Sequence, residues 1–153
     1  MARWTLIAAA ATAAAAALGA AGTRPKTAWY RALDKPDWQP PGRAFPLVWT
    51  PLYASIAWSA ARSLKAESRE GRVGGYAALL GVDLALNAGW CWMFFTARSP
   101  STALATIAAL NAANAALVRR TLRHDRTAGI LLLPYAAWTG FATALNLAIC
   151  RRN

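Results

Sequence analysis

A chain of 153 residues fits a single domain, but 57% hydrophobic residues combined with a formal net charge of +11 is unusual for a soluble one. So basic a protein invites a nucleic-acid reading, which would require the cations to gather as a stripe on a soluble fold. They fall instead in the gaps between apolar runs, from Arg24 to Arg43, Arg62 to Arg72 and Arg119 to Arg126, where charges mark the ends of membrane spans; nucleic acid is therefore excluded and the lipid bilayer is the expected partner.

Five apolar runs, about 4–22, 45–64, 73–96, 101–122 and 128–150, each approach the roughly 20 residues that cross a hydrocarbon core of about 30 Å. They predict an all-α membrane protein: one domain over 1–153, built as a bundle of five transmembrane helices. Short connections make consecutive helices antiparallel neighbours, and an Ala-rich composition favours close packing. The first run has a rival reading. Met1-Ala2-Arg3, the apolar stretch Ala8 to Ala17 and Leu18-Gly19-Ala20-Ala21 would also pass as a cleavable signal peptide, although cleavage would leave the next segment with no helix in front of it.

That next segment, 23–44, is rich in aromatics and prolines: Trp29-Tyr30, Pro36, Trp38 and Pro40-Pro41. Proline lacks the N–H and biases its predecessor toward extended geometry, so a stiff loop is expected up to Pro41. Beside long apolar runs it reads as a lid loop between helices 1 and 2, at the membrane surface, where indoles bury their faces and still find partners.

In the second run Phe45, Trp49, Leu52, Tyr53 and Ile56 share a helical face, whereas Trp58 points away as a lipid-facing anchor. In the third, Asp83, Asn87, Trp90 and Phe94 recur at helical spacing and should face the bundle interior, since an ionisable residue facing lipid costs several kcal/mol. Asp83 fits either a helix-packing or a pocket role. Ala77, Gly81, Ala85 and Gly89 form an opposite, small-residue stripe suited to a homodimer face; packing within one subunit is the alternative. In the fourth, Asn111 and Asn114 suit interhelical hydrogen bonds, and His124, placed in the following loop, reads as solvated. The fifth gathers Tyr135, Trp138, Ala142, Leu145 and Asn146 on one side. A five-span topology brings the second, third and fifth stripes together beneath the lid, a sensible place for an apolar pocket with a few polar groups. Orientation stays open, because Lys and Arg divide nine to eight between the two sides.

Trp38-Gln39-Pro40-Pro41, Phe45-Pro46-Leu47-Val48-Trp49 with Leu52-Tyr53, Leu86-Asn87-Ala88-Gly89-Trp90 through Phe94-Phe95, and Pro134-Tyr135-Ala136-Ala137-Trp138 through Asn146 together resemble the tryptophan-rich sensory protein and translocator protein family, TspO/MBR. The resemblance covers the lid and the second, third and fifth runs in order. It implies a five-helix membrane bundle, typically dimeric, that binds porphyrins, with Tyr30, Trp38, Trp49, Tyr53, Asn87, Trp90, Phe94, Trp138, Ala142 and Leu145 lining the pocket. Leu147 stands where the family's sterol motif has a tyrosine ahead of Arg151, which argues against a sterol partner.

A flat macrocycle asks for indole faces to stack on, and its propionates for cations at the wet rim, where Arg31, Lys35 and Arg43 lie. No axial iron ligand is in reach, so a metal-free, protoporphyrin-like ligand suits this pocket better than haem; no metal site and no required cofactor are expected. No triad or general-base pair supports conventional catalysis, and Cys91 and Cys150 read as small apolar fillers. Three functions remain: a receptor or carrier for tetrapyrroles; a light- and oxygen-dependent porphyrin-degrading activity, by resemblance, with Trp38 and Trp138 as electron donors; and a stress-linked membrane interaction protein. A multi-pass protein of a bacterial cell membrane is the expected setting, and a coupled transporter is disfavoured because no intramembrane acid pair is visible.

Overall fold

The computed structural model describes residues 1–153 and is helical throughout. Seven α-helices follow one another: α1 (Ala2–Gly22), α2 (Ala28–Ala32), α3 (Ala44–Arg69), α4 (Val73–Cys91), α5 (Pro100–His124), α6 (Arg126–Leu131) and α7 (Leu133–Arg152), with a π-helical turn, Trp92–Thr96, continuing α4. Four segments are long and apolar enough to cross a membrane: Ala2–Gly22, Val73–Thr96, Pro100–His124 and Arg126–Arg152.

Three expectations are corrected. Residues 23–44 are not all loop, because the Thr27 side chain accepts a hydrogen bond from the Tyr30 N–H and caps the five-residue α2. The second run does not stop at Leu64. Lys65, Glu67 and Arg69 continue α3 until Gly71, at φ 70, closes it. The fifth run is broken rather than continuous, because Pro134, in the first turn of α7, has no N–H to carry the helix through Leu132.

Helix α1 packs on α3 and α4, α4 on α5, and α5 on α7. The buried side of α1, Ala8, Thr12, Ala15, Gly19 and Gly22, is a helical stripe of small residues; of the residues that resemble a cleavage site, Gly19 is buried and Leu18, Ala20 and Ala21 are exposed. A Cβ on Gly22 would come within 2.7 Å of the Trp92 ring. Trp92 Nε1 donates to the Leu18 carbonyl at 2.9 Å and Thr96 Oγ1 to the Gly22 carbonyl at 3.1 Å. Between α5 and α7, the expected amide bonds are present, from Asn111 Nδ2 to Thr143 Oγ1 at 2.7 Å and from Asn114 Nδ2 to Thr139 Oγ1 at 3.0 Å.

The bundle has two chemically different ends. At the loop end, segment 23–43 is tied to the carboxyl terminus, where Asp34 N–H donates to Asn153 Oδ1 at 2.9 Å and Asn153 Nδ2 to the Asp34 carbonyl at 3.0 Å. At the far end, Arg62 pairs with Asp125, and Ser59 Oγ donates to the Ala128 carbonyl at 2.9 Å, fixing α3 to the α5–α6 junction.

Candidate functional site

At the loop end α3, α4, α7 and segment 23–43 present a continuous set of aromatic rings. The π-helical turn shapes its centre. Ala97 N–H reaches back five residues to the Trp92 carbonyl at 2.8 Å, and the widened turn lets the successive residues Phe94 and Phe95 both be buried. Trp90 stacks on Phe94 with centroids 5.2 Å apart, and Tyr30 from α2 lies against Phe95 at 5.1 Å. Leu145 joins this cluster from α7, with Phe45 packed at its edge.

Phe45 also meets Trp138 edge-on at 5.9 Å, and Trp138 lies 5.2 Å from Phe141. Trp38, 49% exposed, touches that same Phe141 at 5.7 Å. Ala142, next to Phe141 in sequence, is partly buried. Trp49 stacks on Tyr53 at 5.2 Å and meets Tyr135 edge-on at 6.1 Å. The predicted residues thus come together at one end, in linked groups, with the rings of segment 23–43 packed directly onto the bundle.

Beneath the rings runs a buried polar chain. Tyr53 Oη donates to Asn87 Oδ1 at 2.9 Å, Asn87 Nδ2 donates to Tyr135 Oη at 3.0 Å, and Tyr135 Oη donates to Asp83 Oδ1 at 2.9 Å. Trp90 Nε1 donates to Asn146 Oδ1 at 2.9 Å. The rim cations differ from one another. Arg31 and Arg43 are exposed and form no ion pair. Lys35 is turned inward, its Nζ 4.7 Å above the Tyr30 ring and donating to the Leu33 carbonyl at 3.0 Å, so its ammonium is partly committed. Burial pushes the Tyr30 hydroxyl pKa up, partly offset by the bond from Gln39.

The ring partners Trp29, Phe95 and Phe141 are not among the predicted site residues, although all three lie within the aromatic stretches read from the sequence. On α4, Ala77, Gly81 and Ala85 are exposed and Gly89 partly so, and a Cβ on Gly81 or Gly89 would meet nothing within 4 Å. Trp58 is 42% exposed, with the Arg62 guanidinium 4.8 Å over its ring. Cys91 and Cys150 form no disulfide and are partly buried.

The far end holds a cluster that the sequence reading misplaced. His124 is not a solvated loop residue: it ends α5, its side chain is 9% exposed, and its Nε2 lies 3.0 Å from Glu67 Oε1. Glu67, which falls beyond the expected second run of 45–64, is fully buried in the last turn of α3 and takes two bonds from Arg120, Nε to Oε1 at 2.5 Å and a terminal nitrogen to Oε2 at 2.8 Å. The bond from Arg120, outweighing burial, holds the Glu67 carboxyl below the ordinary range, helped by the charges of Arg120 and His124.

The sequence model of the TspO/MBR family matches residues 6–152. The tryptophan-rich protein TspO of Chlorobaculum tepidum is 33% identical over 141 residues, covering 90% of this chain and 89% of the relative. The tryptophan-rich sensory protein of Cereibacter sphaeroides is 37% identical over 125 residues, covering 82% and 77%. The translocator protein of Homo sapiens is 33% identical over 132 residues, covering 82% and 75%.

Proposed function

Because this chain belongs to the TspO/MBR family and is an integral membrane protein, we propose that it is a receptor or carrier that binds porphyrins against the aromatic rings at its loop end, in a bacterial cell membrane. Five crossings, with α3 as the second and α6–α7 together as the fifth, fit the alternation of helix ends, and segment 23–43 serves as the lid. The observation that carries the reading is the convergence of Trp49, Trp90 and Trp138 from three helices with Trp38 from the lid. Indole faces supply stacking area, and Arg31 and Arg43 remain free for propionates. Since the lid rings rest on the bundle, a macrocycle is admitted by lifting segment 23–43 and replacing ring–ring contacts with ring–ligand ones. The names of the relatives, sensory protein and translocator protein, accord with binding coupled to a signal or to movement. The open small-residue face of α4 supports a homodimer.

The test is titration of protoporphyrin IX into the full-length protein in nanodiscs, read by quenching of tryptophan emission and by the porphyrin band. Saturable binding that weakens in Trp138→Ala and Trp49→Ala is expected. Non-saturating uptake equal to that of empty nanodiscs would overturn the reading. A second reading, light-dependent oxidation of the bound porphyrin, is favoured by the meeting of Trp38 and Trp138 on the same Phe141 ring. It requires faster loss of the porphyrin band under light and oxygen than free porphyrin shows, abolished by phenylalanine at those two positions.

A further inference from the structure

The far-end ion cluster takes no part in the aromatic site, yet it borders a cavity of about 450 Å³ between the start of α4 and the last turns of α5. The rim is formed by Arg72, Arg119, Arg120 and Arg123, and the apolar wall by Leu79 and Ala116. Glu67 is the only carboxylate in the lining, and it is already occupied by Arg120 and His124. Arg72 pairs with Glu70 just outside. Arg119 and Arg123, one turn apart on α5 and exposed, form no ion pair at all. The cavity therefore carries positive charge that the protein does not balance, presented on planar forks whose geometry matches phosphate oxygens.

Its location narrows the choice of anion. Val73–Thr96 and Pro100–His124 both have the length and apolarity of membrane crossings, so their ends at the cavity lie at headgroup level, while Leu79 and Ala116 lie a turn or more further into the hydrocarbon. A soluble phosphate has no use for an apolar wall; a phospholipid does, and basic pockets between transmembrane helices suit anionic headgroups. We propose that this cavity seats an anionic phospholipid of the far-end leaflet, its phosphodiester on Arg119 and Arg123 and its glycerol and first acyl methylenes along Leu79 and Ala116. The Glu67–Arg120–His124 cluster positions the site by fixing the α3–α5 contact beneath it.

The experiment uses the full-length protein in neutral detergent, with binding of dioctanoyl phosphatidylglycerol and dioctanoyl phosphatidylcholine followed by native mass spectrometry and thermal shift. The anionic lipid should bind about tenfold or more tightly, and Arg119→Gln with Arg123→Gln should remove that preference, whereas Arg98→Gln with Arg151→Gln at the loop end should leave it. Arg119 and Arg123 are exposed and form no ion pair, so folding should be retained; Arg119→Lys with Arg123→Lys, keeping charge without the fork, should bind at an intermediate level. An unchanged preference in the glutamine pair, or an equal loss in the loop-end pair, overturns the site. Inorganic phosphate displacing the lipid as well as dioctanoyl phosphatidylglycerol itself does would overturn the lipid assignment in favour of a free anion.

Discussion

Glu67→Gln is the sharpest probe of how the far end is held. The substitution keeps the side chain's size but removes the charge that receives two bonds from Arg120 and faces His124 Nε2. Breaking a fully buried ion pair costs about 3–5 kcal/mol because the surviving charge is stranded. Here the Arg120 side chain is 27% exposed against 1% for Glu67, so the guanidinium recovers part of its hydration and a loss of about 2 kcal/mol is expected. For a chain of this size that lowers the melting temperature by roughly 5 °C. A double-mutant cycle with Arg120→Gln, read by unfolding in mixed micelles, should give a coupling energy of about 1–2 kcal/mol. Strictly additive single effects would refute the clamp. The pH dependence provides a second arm. With the Glu67 carboxyl held below its unfolded value of 4.5, its contribution is fully present above that pH and is lost as pH falls through the lower, folded value. The wild type should thus lose stability below about pH 4.5 more steeply than Glu67→Gln. Some acid sensitivity should survive in the variant, because Asp125 is also held low, first by the Ala128 N–H and then by Arg62.

Gly22→Ala should destabilise by about 1–3 kcal/mol, as overpacking does, because the new methyl would enter the Trp92 ring; a melting curve identical to wild type would show that the ring moves aside freely. Gly81→Leu fills an open face and should lower the dimer fraction in bilayers while leaving porphyrin binding intact; an unchanged fraction by cross-linking would move the interface elsewhere. Trp49→Ala should weaken porphyrin binding by about 1 kcal/mol or more through the lost ring face, and Trp58→Ala, on the opposite side, should do little. Equal losses from both would point to general destabilisation instead of contact.

The stripes of α4 were legible because their information is local: Asp83, Asn87 and Phe94 are all buried and Ala77, Gly81 and Ala85 all exposed, as helical spacing requires. The aromatic convergence was legible from short motifs combined with antiparallel topology. The Glu67–Arg120–His124 cluster was not, since its partners stand 53 and 57 residues apart and Glu67 sits among Arg62, Lys65 and Arg69, a pattern that reads as a solvated linker. A signal was nonetheless present. Ser59, Ser63 and Glu67 recur every fourth residue behind Ile56, and all four are fully buried, so a polar stripe was continuing an apolar face. The break at Leu132 had its signal in Pro134, whereas the fit of Gly22 to Trp92 depends on a contact 70 residues away that no local pattern records.

Asn87 shows how the geometry changes the meaning of a predicted site residue. It lies in the buried chain beneath the rings, where its oxygen accepts from Tyr53 and its nitrogen donates to Tyr135, which in turn donates to Asp83. A ligand that took over either of these bonds would leave a buried hydroxyl unsatisfied at a cost of about 1–3 kcal/mol. The cheaper arrangement leaves the chain intact and lets it act through the rings. Tyr53, held by Asn87, sets the plane on which Trp49 stacks, and Tyr135, held between Asn87 and Asp83, stands edge-on to the same indole. Trp49 is therefore fixed from two sides before any ligand arrives. On this reading Asn87 and Asp83 are positioning residues for an apolar recognition surface, and the polar stripe of α4 orients the ring of α3 that the proposed macrocycle would meet.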